Sequence, residues 1–339
     1  MIENVDVVLG CSYGDEGKGK VVNDLLKKIS YDLCIRFNGS GNAGHTIYTE
    51  KKVVIHQLPI GILHNSVYNL ISSDCLINID KLKDEIEMVK NMDIDIKGRL
   101  FISNACHIIT QDAIDYDKAN NKIGTTGSGI GPTYSNKMLR ISKRVEDYKD
   151  KIEELGIKIV NMREFWKSDF VKSNIKNILL EGAQGFELDI NWTENYPYCT
   201  SSTCTIAGAI NTGIPMKKIR NVYGISKAYD TYVGSRLFQP IGNSELELIG
   251  RLGKEYGATT GRKRQCNYLN LDKLYEALLY NQCNVCIINK FDIIDESKIY
   301  KLYSENKLLT FNSSFEMKKY ITKKLDLVDI IFSSNPYEI

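Results

Sequence analysis

The chain has 339 residues, 43% of them hydrophobic, and a net charge of +2. That is enough for a large core, and the near-neutral balance gives no bulk-charge argument for nucleic acid or a membrane surface. No apolar run approaches membrane-spanning length and the N-terminus lacks a signal-peptide pattern, so a soluble cytoplasmic protein is expected. Nine scattered cysteines fit this. Cys283-Asn284-Val285-Cys286 is a C-x-x-C, but it runs into Ile287-Ile288 without a second pair of metal-ligand spacing, so it reads as buried thiols in a reducing compartment.

Val7-Val8-Leu9 reads as a buried strand, and a helical pattern begins near Val21-Val22. Between them lie Gly10, Gly14, Gly17 and Gly19 with Lys18 and Lys20. A strand, a glycine-rich loop and a helix N-terminus together make an anion site, because crowded N–H groups, the helix dipole and two cations all favour phosphate. The loop nearly fits G-x-x-x-x-G-K-[ST] as Gly14 to Lys20, but Val21 stands where a magnesium-holding hydroxyl belongs. Asp15 and Glu16 lie inside the loop. Two acids there would repel phosphate unless a metal or chemistry employs them.

Tyr31 to Phe37 reads as a second strand, ending in a loop of small residues, Asn38 to Thr46, that carries His45. That setting makes His45 a candidate acid or electrostatic catalyst. His56, in the apolar run Val53 to Leu58, reads as a core histidine. Leu70-Ile71, Leu76-Ile77 and Leu100 to Ile102 read as strands, Lys81 to Met92 as an amphipathic helix and Gln111 to Asn121 as a polar one. Gly124 to Pro132 carries four glycines and two threonines, which suits a phosphate or carboxylate, and Lys137 and Arg140 follow on the next helical segment.

The strand Asn177 to Leu180 closes on Glu181-Gly182-Ala183-Gln184-Gly185, again a strand tip with glycines and an amide. A hydroxyl-rich loop, Tyr196 to Thr205, follows, then a strand over Val222 to Ile225. Gly257 to Arg264 is the most cationic short stretch, with Arg262 and Arg264 beside Thr259-Thr260 as a natural carboxylate or phosphate clamp. Val285 to Ile288 reads as a buried strand ending in Asn289-Lys290-Phe291-Asp292. N-K-x-D is a guanine-reading pattern, because the Asp carboxylate accepts guanine N1–H and the 2-amino group, which adenine lacks. Asp329 to Phe332 is the last strand. No linker, repeat or low-complexity segment appears, so residues 1–339 are expected to form one domain.

Seven signatures in order, GDEGKGK (14–20), NAGHT (42–46), GTTGSGIGP (124–132), EGAQG (181–185), YPYCTSS (196–202), GATTGRKR (257–264) and NKFD (289–292), make the chain resemble the adenylosuccinate synthetase family along nearly its whole length. That family joins aspartate to IMP using GTP. The resemblance implies a phosphate-loop α/β fold, one large domain around a central, mostly parallel sheet with helices on both faces. It implies that Asp15 takes the IMP N1 proton, that O6 attacks the GTP γ-phosphate, and that the aspartate amine then displaces phosphate. His45, Lys18 and Gln184 would share in this catalysis. Mg²⁺ would sit on Asp15 and the Gly44 carbonyl. Gly14, Glu16, Gly17, Lys18, Gly19, Lys20, Gly44, His45, Thr46, Lys290 and Asp292 would bind GTP. Asn42, Thr126, Gln184, Thr200, Val233 and Arg262 would hold IMP with Asp15. Arg140 would complete the neighbouring subunit's IMP site, which implies a homodimer. Thr259, Thr260, Arg262 and Arg264 would clamp aspartate.

The chain departs from that pattern in places. It is shorter than ordinary members and resembles the compact archaeal and phage-type forms. Ser128 stands for Arg, Gly41 for His, Tyr13 for Trp and Tyr232 for Arg, and Ser235 to Phe238 replaces a glycine-rich loop. The tail Ser333 to Pro336 matches only loosely. A phage branch condenses aspartate with dGMP, often with ATP, and resembles this chain in size and in YPYCTS. It tends to lose the loop aspartate, whereas Asp15 and NKFD are kept here, which favours IMP and GTP. A non-catalytic guanine-nucleotide switch is the reading from another class, and it leaves Val21 and the Arg262–Arg264 pair unexplained.

Overall fold

The computed structural model describes residues 1–48, 52–121, 123–257 and 261–339. Its centre is a sheet of nine strands: β1 (Asn4–Gly10), β2 (Leu33–Arg36), β3 (Tyr68–Ile71), β4 (Leu100–Ser103), β5 (Lys158–Val160), β6 (Asn177–Glu181), β7 (Ile219–Lys227), β8 (Val285–Asn289) and β9 (Asp329–Phe332). In space they run β9-β8-β7-β1-β6-β2-β3-β4-β5, and every pairing in this sheet is parallel.

Near-continuous apolar strands are what a parallel sheet covered on both faces requires. Successive side chains divide accordingly. Val5, Val7 and Leu9 enter one buried cluster and Val8 another; Leu33 and Ile35 separate likewise from Cys34, and Cys286 and Ile288 from Ile287. Helix α1 (Lys18–Lys28) covers one face through Val21, Val22, Leu25 and Leu26. All nine cysteines are free thiols, and only Cys199 is not buried, as expected.

The strand order decides where a ligand can go. The chain first builds outward from β1 to β5, returns to insert β6 between β1 and β2, and then grows the other side. The loops leaving the carboxyl ends of β1, β2, β6, β7 and β8 therefore diverge around β1, the place where open α/β sheets leave a crevice.

A second sheet of four strands, Tyr229–Tyr232, Gln265–Asn270, Lys301–Ser304 and Lys307–Thr310, was not legible in the sequence. Its strands are short and polar, and the first follows β7 after a single residue, Ala228. β5 was missed too. The strand expected through His56 ends at Ile55, and His56 is half-buried rather than core. The helices expected over 81–92 and 111–121 are Ile79–Lys90, with Asn78 capping it, and Gln111–Ala119, capped by Thr110.

Asp6 is the one carboxylate inside the apolar run of β1, and it is fully buried. It accepts from the Tyr31 hydroxyl (2.5 Å), Arg220 Nε (3.1 Å) and Nη2 (2.5 Å), and the Asn221 amide (3.1 Å). These bonds tie β1, β7 and the segment before β2 at the sheet end away from the crevice. Asp6→Ala strands a phenol and a guanidinium, and is expected to cost about 3 kcal/mol, read as a lowered urea midpoint, while kcat of the folded fraction stays near wild type.

Candidate active site

The phosphate loop follows β1 and enters α1. Gly14 (φ 84°), Asp15 (φ 58°) and Gly17 (φ 92°) all take left-handed backbone, and Gly17 caps the helix. The two loop acids point in different directions. Glu16 is fully buried; its Oε1 accepts from the Ser12 and Gly14 amides (3.2 and 2.8 Å), and its Oε2 pairs with Lys18 Nζ (2.5 Å). A Cβ at Gly185 would overlap Glu16 Oε1 and the Ser12 carbonyl, so a side chain there would break the loop. Glu16 thus shapes the loop from within, and what it turns to the crevice is backbone. Asp15 is 29% exposed and faces Arg264, with Oδ2 2.9 Å from Nε.

Asn289, the first residue of NKFD, donates from Nδ2 to the Glu16 carbonyl (2.8 Å). The base-reading motif and the phosphate loop are therefore fastened to each other. Lys290 (φ 70°) caps the helix Phe291–Ser297 and donates to the Gly253 carbonyl (3.2 Å). Lys20 Nζ donates to Ser333 Oγ (2.6 Å) and the Asn335 carbonyl (2.8 Å), which draws the tail onto the loop. Burial pulls the Lys20 ammonium down to about 8, against the attraction of Asp292 and Asp24.

His45 belongs to a buried group that the sequence reading only half saw. Glu181 at the tip of β6 and Arg36 at the tip of β2 sit side by side, in register. Arg36 Nη1 lies 2.5 Å from Glu181 Oε1, and His45 Nδ1 lies 2.6 Å from the same oxygen. Glu181 Oε2 accepts the Ile60 amide (2.8 Å). Burial raises the Glu181 carboxyl, but His45 and Arg36 outweigh it and hold it below its ordinary value. Burial, and then Arg36 with Nη1 2.9 Å from Nδ1, push His45 down to about 4 against the pull of Glu181. The ring is neutral at neutral pH, and the ionised carboxylate assigns the Nδ1 proton.

On the opposite wall Arg264 Nη1 donates to Glu255 Oε2 (2.5 Å). Glu255 also accepts from the Tyr229 hydroxyl (2.6 Å) and faces Lys227. Burial opposes its charge, but Lys227 and Arg264 prevail and hold it down to about 2. Arg262 donates to the Gly124 carbonyl (3.1 Å). The Arg236 guanidinium lies 5.0–5.7 Å from the ring centres of Tyr13, Tyr232 and Phe238. Gln265 fixes that loop by accepting the Phe238 amide (2.8 Å) and donating to the Arg236 carbonyl (2.7 Å).

These walls enclose one cavity of about 600 Å³. It gathers Gly14, Asp15, Glu16, Gly17, Lys18, Gly19, Lys20, Asn42, Gly44, His45, Thr46, Thr126, Gln184, Val233, Arg264, Lys290 and Asp292 from seven separate segments. Thr200, Arg262 and Arg140 do not line it. Thr200 connects through Ser202, 3.3 Å away, whose hydroxyl donates to Gln184 Oε1 (3.0 Å). Arg140 is exposed at the end of the helix Ile130–Leu139. Thr259 and Thr260 lie outside the described residues. Arg36, Lys227 and Glu255 were missed; a charged residue ending an apolar strand was the only signal for the first two, and Glu255, in the turn after the helix Ser244–Leu252, carried none.

A parallel sheet with a glycine-rich loop entering a helix, and with NKFD and buried ionisable groups around one crevice, defines an α/β fold of the nucleotide-binding class. The sequence pattern of the adenylosuccinate synthetase family matches residues 7–169 and 148–321. Adenylosuccinate synthetase of Komagataella phaffii is 36% identical over 90% of this chain and 83% of its own length, and that of Chlorobium phaeobacteroides is 36% identical over 87% and 78%. The fully ligated adenylosuccinate synthetase of Plasmodium falciparum superposes with a TM-score of 0.84 at 28% identity, covering 98% of each chain. The cyanophage S-2L succinoaminodeoxyadenylate synthetase (PurZ), bound to dGMP and dATP, shares the fold at a TM-score of 0.80 and 21% identity, over 99% of this chain and 94% of its own. The chain belongs to the adenylosuccinate synthetase family, and is a ligase that forms a carbon–nitrogen bond. Among the described residues no helix is long and apolar enough to cross a membrane.

The buried His45 gives a pH signature. Its folded pKa of about 4 lies below the unfolded value near 6.5, so the folded state binds fewer protons between them. Stability is therefore intact above about pH 6.5 and declines as pH falls toward 4, by up to about 1.4 kcal/mol per unit from this group. In urea titrations across that window, His45→Asn is expected to give a flatter slope than wild type; equal slopes would place the proton elsewhere.

Proposed function

We propose that the chain catalyses GTP-dependent ligation of L-aspartate to IMP, giving adenylosuccinate, GDP and phosphate, with the whole chain acting as one cytoplasmic domain. The observation that carries this reading is one cleft lined both by a carboxylate inside the phosphate loop, Asp15, and by Asp292 of NKFD. A plain phosphate cradle has no use for the first, and an adenine site has none for the second.

Asp15 takes the N1 proton of IMP, which leaves O6 nucleophilic. O6 attacks the γ-phosphorus, and the bond to the GDP oxygen breaks. Lys18 and the loop amides receive the charge on the transferring group, as phosphoryl transfer demands. An arriving phosphate favours protonated His45, whose ring stands ready beside Glu181. Gln184, held by Ser202, orients the base. The amine of aspartate then attacks C6, and phosphate leaves with the O6 oxygen. The donor chemistry fits magnesium: the Asp15 carboxylate and the Gly44 carbonyl, both on residues that line the cleft, are hard oxygens that would hold it. When bound, Mg²⁺ neutralises phosphate charge without a Ser or Thr after Lys20.

Arg140 supports a homodimer. It stands outside its own cleft, among exposed Met138, Leu139 and Ile141, where a second copy would cover the apolar group and receive the guanidinium. Sedimentation equilibrium tests this part; a monomer at micromolar concentration refutes it.

A second reading is ligation of aspartate to dGMP with ATP or GTP. The Tyr13–Tyr232–Phe238 cage around Arg236 favours it, because it rebuilds the wall next to Val233. An assay with aspartate, Mg²⁺ and IMP or dGMP, each with GTP or ATP, decides between them; turnover with dGMP alone overturns the first reading. Asp15→Asn is expected to lower kcat by at least about 10³-fold while nucleotide binding persists, and near-normal turnover removes its role as base. Asp292→Asn is expected to narrow the preference for GTP over ATP by about 10-fold or more, read from the ratio of kcat/KM values.

A further inference from the structure

One more buried carboxylate, Asp230, lies against the phosphate loop, and unlike Glu16, Glu181 and Glu255 it makes no salt bridge among the described residues. It sits on the first strand of the small sheet, where successive side chains point to opposite faces. Tyr229 and Thr231 reach Glu255 and Lys227, whereas Asp230 and Tyr232 turn toward Ser12 and Tyr13. Asp230 Oδ2 accepts the Asn270 amide (3.0 Å), and the Ser12 hydroxyl bonds to the same carboxyl. The ammonium groups in this region are engaged elsewhere: Lys227 by Glu255 and Thr231, and Lys273 by Glu187 and Glu194.

Ser12 links this carboxyl to the loop. Its amide donates to Glu16 Oε1 (3.2 Å), its carbonyl accepts the Glu187 amide (3.0 Å), and its hydroxyl lies 3.2 Å from Ser226 Oγ. Burial pushes the Asp230 carboxyl up to about 7. Glu187 adds to the rise, while the Asn270 amide, the Ser12 hydroxyl and Lys227 oppose it. The Tyr13 phenol is pushed up by burial and then by Glu187 and Asp230, so it stays neutral here. Asn267, opposite Asp230 in the strand pair, carries no charge. Asp230 itself does not line the cavity, but the loop it touches does. When ionised, the carboxyl sets a negative charge behind a loop that must hold phosphate; when protonated, it does not.

We propose that Asp230 is a positioning residue of the nucleotide site, acting through Ser12 to make phosphate binding by the loop proton-dependent: the protonated carboxyl favours the bound nucleotide and the ionised carboxyl opposes it. This rests on the nucleotide-binding reading above and holds for a guanine or an adenine nucleotide alike. By linkage, a phosphate arriving in the loop draws a proton onto Asp230.

The test is calorimetric binding of GDP, and in parallel ADP, each with Mg²⁺, from pH 6 to pH 8. Buffers of different ionisation enthalpy give proton uptake alongside Kd. Lys20 and the nucleotide phosphate also titrate in this window, so the readout is the difference between wild type and Asp230→Asn. Wild type is expected to lose about 5-fold more affinity than the variant between pH 6 and pH 8, and to take up about 0.4 proton more at pH 7. At pH 8 the variant should bind more tightly than wild type, which a merely structural loss would not produce. Asp230→Ser, small and neutral with a hydroxyl for Ser12, should show the same flattening and serves if Asp230→Asn does not fold. Equal pH slopes and equal proton uptake in wild type and variant overturn the proposal. Wild type that takes up no proton at pH 7 overturns it without any variant. Wild type that binds neither GDP nor ADP overturns the nucleotide reading, and this proposal with it.

Discussion

Glu16 lies within the phosphate loop with its side chain wholly shielded from water, and the loop is wrapped around it. A buried carboxylate must have its lone pairs met, and here they are met by two loop amides and the Lys18 ammonium. The requirement sets the curvature of the loop, turns Asp15 outward and demands glycine at 185, where any side chain would collide with the carboxylate. Asn289 then binds the Glu16 carbonyl, so the position of NKFD depends on the same residue. The phosphate end and the base end of the cleft form one fastened unit.

Two other buried carboxylates repeat the device, one at the tip of β6 and one in the turn after the helix Ser244–Leu252. Glu181 gathers Arg36, His45 and the Ile60 amide; Glu255 gathers Arg264, Lys227 and Tyr229. In each case one inward acid holds its basic partners beside the crevice, and His45, Lys227 and Arg264 reach its lining. The cations are thereby held in place before any ligand arrives, which is how a site reduces reorganisation during phosphoryl transfer. The cost is concentrated charge away from water, and the parallel sheet beneath, apolar on both faces, supplies the rigid frame that keeps each pair together.

The aromatic cage around Arg236 joins three separate stretches of chain. Tyr13 leaves the phosphate loop, Tyr232 ends a strand of the small sheet and Phe238 leaves the loop after it, yet their rings meet on one guanidinium. Gln265 pins that loop to the next strand. The small sheet thus carries both the cage and the Glu255 cluster.

The sequence alone determined the phosphate loop, His45, Gln184, NKFD and most strands of the large sheet. These depend on local chemistry: glycine where the backbone turns left-handed, unbroken apolar runs where both faces are covered, and a motif whose spacing is its function. Only the tertiary structure decided how the acids divide their work. Asp15 and Glu16 are adjacent in the chain and alike in charge, and nothing local says that one turns inward and the other toward Arg264. The pairing of Arg36 with Glu181 joins residues 145 apart through the register of two parallel strands. Arg262 and Arg264 are two residues apart, and the fold gives the first a bond to the Gly124 carbonyl and the second a pairing with Glu255 that no local pattern announces. Lys227 followed a strand without any motif around it. Its meaning came from Glu255, which a separate turn of chain brings against it, because a buried charge takes its role from the partners that long-range packing supplies.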